Sequence, residues 1–332
     1  MATEDTTNTS GPGAAWRPRI ARVLPLLSLG TALLSAAWMS RAPERAGRIA
    51  FFALVGWLTF VCASLIVRHV DAHNAPEVKH RAARFFALLA SQVAIQQGLV
   101  FPLPFFARAV SSPIHAPFAL LYAAALAVGL WDPWFAWFAR RAWLLFVLQA
   151  FAAFVGLAVA LPMLGMSNEA AFIAAGATVA VGVPVATWIA HPAESARYKV
   201  VFLADALAVG IACVLGAPLV PPAPLRLVDA SVGTRLEGRD LSDPGASFPP
   251  GAALLCHTSI AAPLGIKDRL VHVWRHNGVE VQRVHLRMQG GRDAGFRTWS
   301  RFSGAHAGVI SCTVETSLGQ VLGSAVVTVR AH

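Results

Sequence analysis

The densest chemistry in the chain lies between residues 271 and 302, VHVWRHNGVEVQRVHLRMQGGRDAGFRTWSRF, where His, Trp and Arg recur in alternation. An arginine beside a tryptophan stacks its guanidinium on the indole face and still presents its N–H fork to phosphate or carboxylate. Asn277-Gly278 is a strong hairpin signal, because both central residues of a type I′ turn need positive φ. That turn places His276 opposite Val279, Arg275 opposite Glu280, Trp274 opposite Val281 and His272 opposite Arg283. Side chains alternate between the two faces of a strand. One face then holds Val271, Val273, Val284, Leu286 and Met288 and reads as core. The other holds His272, Trp274, His276, Arg283, His285 and Arg287, and FRTWSRF adds Arg297, Trp299 and Arg301 on one side of a further strand. The expected binding surface is therefore His272, Trp274, Arg283, His285, Arg287, Arg297, Trp299 and Arg301, suited to an anionic or glycan ligand or an acidic protein partner.

The hairpin also has a second reading. Immunoglobulin-like sandwiches bury a tryptophan between two cysteines, and Cys256, Trp274, Cys312 follow that order. A bulge near Gln282 would shift the register and turn Trp274 inward, so the residue is left open between core and surface. In ALLCHTSI and GVISCTVET, Cys256 and Cys312 share their strand faces with Leu254, Ile260, Ile310 and Val314. Both thiols point to the core, and a strand-to-strand disulfide is expected in an oxidising compartment.

These strands belong to a domain that begins abruptly. After the proline-rich linker at 221–224, residues 225–332 carry seven short alternating segments separated by Gly, Pro, Asn and Asp, which predict an all-β, immunoglobulin-like sandwich. Before the linker the composition is that of a membrane protein: 56% of the chain is hydrophobic, only 13% is charged, and mean hydropathy is +0.58. Apolar runs near residues 20–40, 49–67, 85–106, 118–138, 143–164, 171–190 and 200–220 approach the roughly 20 residues needed to cross a bilayer. The expected fold is thus a seven-span α-helical membrane bundle over 20–220, preceded by a polar cytoplasmic tail over 1–19 and followed by the β-sandwich. Lys and Arg fall mostly in the loops after even-numbered spans and before the first, which predicts a cytoplasmic N-terminus and an external β-domain.

Polar residues inside apolar runs are functional candidates. Asp205 is the clearest, with Gln92, Gln96, Gln97 and Gln149 beside it, and they support an alternative reading as a small-solute or ion transporter. No GxSxG, Walker loop, HExxH or CxxC occurs, so the sequence gives no catalytic residue, metal site or cofactor. A net charge of +10 raises nucleic acid as a partner, but the basic residues are dispersed and no nucleic-acid-binding motif accompanies them.

Residues 271–330 resemble the C-terminal domain of bacterial membrane proteins known as domain of unknown function 2914. The matching positions are His272 and Trp274, Gly291 and Arg292, Trp299 and Ser300, Gly308 with Ile310, and Gly319 with Leu322. Ile310 stands where that pattern has tryptophan. The helical half is similar, less specifically, to domain of unknown function 5924. The resemblance implies a bacterial inner-membrane protein with a periplasmic β-domain, whose partners would be the bilayer, anionic lipid headgroups, an envelope glycan or another envelope protein. It implies no activity.

Overall fold

A computed structural model describes residues 77–131, 142–190, 197–291 and 295–330, with a few isolated positions elsewhere. The expected tail and the first two expected spans lie outside the described residues. The helical half contains α1 (Glu77–Val100), α2 (Leu103–Ala109), α3 (Ala116–Leu130), α4 (Ala142–Met163), α5 (Asn168–Ala190) and α6 (Arg197–Gly216). Pro102 and Pro104 follow α1 and restart the chain as the short α2, as expected where a proline removes a donor from the ladder. Helices α1 and α4 approach closely at small residues. A Cβ on Gly98 would lie 2.8 Å from the Ala152 carbonyl oxygen, so only glycine permits this crossing.

The seven-span, multi-pass reading does not hold. Among the described residues there are five long α-helices, one short one and two 3-10 turns, Pro113–His115 and Ala217–Leu219, and one stretch, Pro113–Leu130, is both long and apolar enough to cross a bilayer. The other apolar stretches among the described residues, Val147–Met163, Asn168–Val181 and Gly210–Leu219, are shorter than the roughly 20 residues a span requires. Hydropathy reads the same whether an apolar side chain faces lipid or another helix. Ile95, Leu99, Leu145, Val155 and Val159, counted toward spans, are buried in a common interhelical core.

Beyond the linker, the seven alternating segments coincide with β1 (Arg226–Gly233), β5 (Leu254–Ala261), β6 (Lys267–His276), β7 (Val279–Gln289), β8 (Phe296–Phe302), β9 (Gly308–Thr316) and β10 (Val321–Val329). Three two-residue strands were not foreseen: β2 (Leu236–Glu237), β3 (Asp240–Leu241) and β4 (Ser247–Phe248). A three-stranded sheet, β1-β5-β8, and a five-stranded sheet, β4-β10-β9-β6-β7, enclose a shared core. The Cys256–Cys312 disulfide joins them through β5 and β9.

The β6–β7 hairpin turns at Asn277 and Gly278, with φ of 50° and 84°. Its register follows the sequence reading at His276↔Val279 and Arg275↔Glu280 and then shifts, pairing Trp274 with Gln282 and His272 with Val284. Val281 is the extra residue of a β-bulge, and every side chain of β7 beyond it changes partner.

Candidate functional site

The bulge decides which residues of the expected surface can meet a ligand. Trp274 is fully buried: its ring stacks on Phe302 at 5.4 Å, and its indole N–H donates to Ser300 Oγ at 3.0 Å. His272 is also fully buried. Its Nδ1 lies 2.9 Å from Ser300 Oγ, and its Nε2 lies 3.0 Å from Thr258 Oγ1. Burial, with a smaller contribution from nearby His257, pushes the His272 pKa down to about 4. The expected exposure of His272 is therefore corrected, and of the two readings left open for Trp274 the buried one holds: both are core, because the two sheets close over the even-numbered face of β6. Cys256, His272 and Cys312 form a group of metal-ligand type, but the two sulfurs are bonded to each other.

The remaining expected residues divide between the two outer faces of the domain. On the three-stranded sheet, Trp299 is half-exposed and Arg301 is exposed, while Arg297 donates to Asp240 at 2.9 Å. On the five-stranded sheet, Arg283, His285 and Arg287 point outward. Arg283 is held by Glu280 through bonds of 3.0 and 2.9 Å, which keep the Glu280 carboxyl below its usual range. Arg275 is likewise tied to Glu315 at 2.8 Å. The one composite basic-aromatic surface is not formed.

Arg287 instead meets two cations that sequence reasoning missed. It pairs directly across the strands with Arg269, and Lys267 follows two residues along the same outward face. Like charges directly opposite each other in a sheet are destabilising unless something neutralises them. Among the described residues no carboxylate lies within ion-pair distance of Lys267, Arg269 or Arg287. They line a groove of about 560 Å³ with Ser167, Glu169, Asp268 and Phe296, a size typical of ligand sites.

The groove lies where the β-domain meets the helical half, and a buried polar network fixes its floor. Asp268 Oδ2 accepts from the Asn168 backbone N–H at 3.0 Å, and Oδ1 from that of Arg269 at 2.8 Å. Burial raises the Asp268 carboxyl above its usual range, partly offset by these two donors. Asn168 Nδ2 donates to Gln320 Oε1 at 2.7 Å, and Gln320 Nε2 donates to the Val220 carbonyl at 3.0 Å. Ser317 Oγ donates to Glu169 Oε2 at 2.7 Å. The two carboxylates are thus engaged within the protein, whereas among the described residues the three cations have no acidic partner.

The expected intramembrane polar residues lie apart from this groove. Gln92 and Gln96 are buried between helices, Gln97 and Gln149 partly so, and Gln96 Nε2 donates to the Gly129 carbonyl at 3.3 Å. The Asp205 side chain lies outside the described ones.

These features define a helical protein bearing a disulfide-linked, β-rich C-terminal domain, with a cationic groove at the junction. The chain belongs to the family of unknown function DUF5924, which it matches over residues 7–249, and its residues 267–329 match the protein of unknown function DUF2914. Strands β1 to β4 fall in the first match and β6 to β10 in the second, so both sheets draw on both regions. No curated protein matches the sequence. Among solved structures, the Pseudomonas fluorescens alkylpurine DNA glycosylase AlkC, bound to DNA containing an abasic site analog, aligns over 94% of this chain and 99% of its own. Its identity is 11% and its TM-score 0.25, a likeness too shallow to support any argument about fold or chemistry.

Proposed function

We propose that this chain is a bacterial envelope binding protein. Its helical half associates with the inner membrane, its β-domain lies on the oxidising, periplasmic side, and the junction groove takes an anionic envelope component. One observation carries the reading: Lys267, Arg269 and Arg287 converge on a ligand-sized groove with no acidic partner among the described residues, two of them directly opposite each other. An anion bridging Arg269 and Arg287 relieves their repulsion and accepts charge-assisted hydrogen bonds from both. The disulfide supports the compartment, since such bonds persist where thiols are not kept reduced.

The test uses the full chain purified in neutral detergent and titrated with glycerol 3-phosphate and with a phosphate-bearing glycan fragment. Binding is expected to weaken with salt, because exposed charges are screened over about 8 Å at physiological ionic strength. It is also expected to fall in the double variant Arg269→Ser, Arg287→Ser. Equal binding by that variant sinks the proposal. The compartment is checked separately by an alkaline phosphatase fusion after Pro224, where an inactive fusion argues against the periplasmic side.

A further inference from the structure

We infer that the anion taken by the junction groove is the phosphate of a membrane lipid, its acyl part lying along α5; this rests on the anion-binding reading above. The groove does not end at its cations. Glu169, one of its lining residues, stands in the first turn of α5, and the same helical row continues through Ile173, Ala177 and Val181. Residues four apart lie one above another on a helix, so these positions form one stripe. Ile173 and Val181 are each 55% exposed, and Ala177 is exposed between them. From Glu169 to Val181 the stripe runs about 18 Å at 1.5 Å per residue. Exposed apolar side chains also flank the mouth: Met166, next to the groove residue Ser167, and Leu264, whose loop packs on Gly291 at the end of β7.

The arrangement is amphiphilic in one direction. Three cations without an acidic partner among the described residues sit at the head, and an exposed apolar track leads away from them down a helix whose N-terminus forms the groove wall. A soluble sugar phosphate or inorganic phosphate satisfies the head and leaves the stripe bare. An anionic phospholipid covers both. Two carboxylates, Asp268 and Glu169, also line the groove and their charge opposes an anion, but Lys267, Arg269 and Arg287 outnumber them, and both Asp268 oxygens are turned to backbone N–H groups while Glu169 accepts from Ser317.

The experiment is native mass spectrometry of the full chain in neutral detergent, titrated with phosphatidylglycerol, phosphatidylcholine and glycerol 3-phosphate. Phosphatidylglycerol is expected to bind tightest. Arg269→Ser with Arg287→Ser should weaken it about thirtyfold, from five- to sixfold for each cation near a lipid surface. Ile173→Asn, or Val181→Asn if the first does not fold, should weaken phosphatidylglycerol and leave glycerol 3-phosphate unchanged. If glycerol 3-phosphate binds as tightly as phosphatidylglycerol and the α5 variants bind lipid normally, the lipid inference falls while the anion groove stands. Equal binding of both phospholipids, unaffected by the arginine changes, means a nonspecific lipid coat and also overturns it. Failure of all three ligands to bind removes the inference and the anion site together.

Discussion

Acidification offers a quantitative test of how the β-domain core is built. His272 titrates at about 4 in the folded protein against 6.5 for the free side chain. The unfolded chain therefore takes up a proton first as pH falls, and the difference appears as lost stability. The contribution is fully present above pH 6.5, declines as pH drops toward 4, and is spent below that. Linkage between those two pKa values gives a loss of about 2.5 kcal/mol from pH 7.5 to 4.5. The cause is geometric: a protonated imidazole would sit fully buried among the hydroxyls of Thr258, Thr298 and Ser300, with no carboxylate among the described residues bonded to it. Asp268 opposes this slope, because its raised carboxyl pKa favours the folded state as it protonates. Urea denaturation of the full chain, followed by tryptophan fluorescence at several pH values, should be compared between wild type and His272→Gln. Glutamine keeps partners for Ser300 and Thr258 but cannot titrate. The variant should lose about 2.5 kcal/mol less than wild type across that range. Parallel pH slopes in the two proteins would refute the assignment to His272.

The disulfide closes a separation of 56 residues, so replacing both Cys256 and Cys312 with serine should cost about 4 kcal/mol on loop entropy. Non-reducing peptide mapping should recover the linked peptides, and alkylation of both thiols in the unreduced protein would contradict the bond. Trp274→Ala should destabilise by about 3 to 5 kcal/mol, the cost of emptying a buried aromatic site. Trp299→Ala, on the outer face, should change stability by no more than about 0.5 kcal/mol in the same urea assay. Asn168→Ala removes the shorter of two donors to the buried Gln320 Oε1, with Thr316 Oγ1 remaining at 3.3 Å, a loss of about 0.5 to 1.5 kcal/mol. Hydrogen exchange should show it as faster exchange at residues 317–320, and unaltered protection there would count against the network.

The alternating strands were legible because turn chemistry and period-two patterning act locally. Asn277-Gly278 fixed the hairpin, and the strand phase of Cys256 and Cys312 fixed their inward direction. The register beyond Val281 was not legible. A bulge moves one residue out of a ladder for little local cost, and the choice is made by what the opposite sheet can accept. Here it accepts Trp274 against the disulfide and Phe302, with Ser300 supplying the indole's partner. That one-residue slip separates His272 and Trp274 from Arg283, His285 and Arg287. It also brings Arg287 opposite Arg269, a pairing that the unbulged hairpin would not make. In the helical half, Gly98 and the buried glutamines mark helix contacts that an apolar window reads only as hydrophobic length.

The junction groove could not have been read from either half alone. Its cations come from the open end of the β6–β7 hairpin, while its opposite wall is the first turn of α5, about a hundred residues earlier in the chain. What joins them is polar: Asp268 caps the α5 N-terminus, where a carboxylate meets unpaired N–H groups and the positive end of the helix dipole. Gln320 ties the β9–β10 turn to Asn168 and to the carbonyl of Val220 at the linker. An apolar contact would tolerate sliding, whereas these bonds are directional and buried, and each breaks if the β-domain rotates on the helices. The network therefore holds Arg269 and Arg287 at a fixed distance from the α5 stripe, as a ligand reaching from one to the other requires.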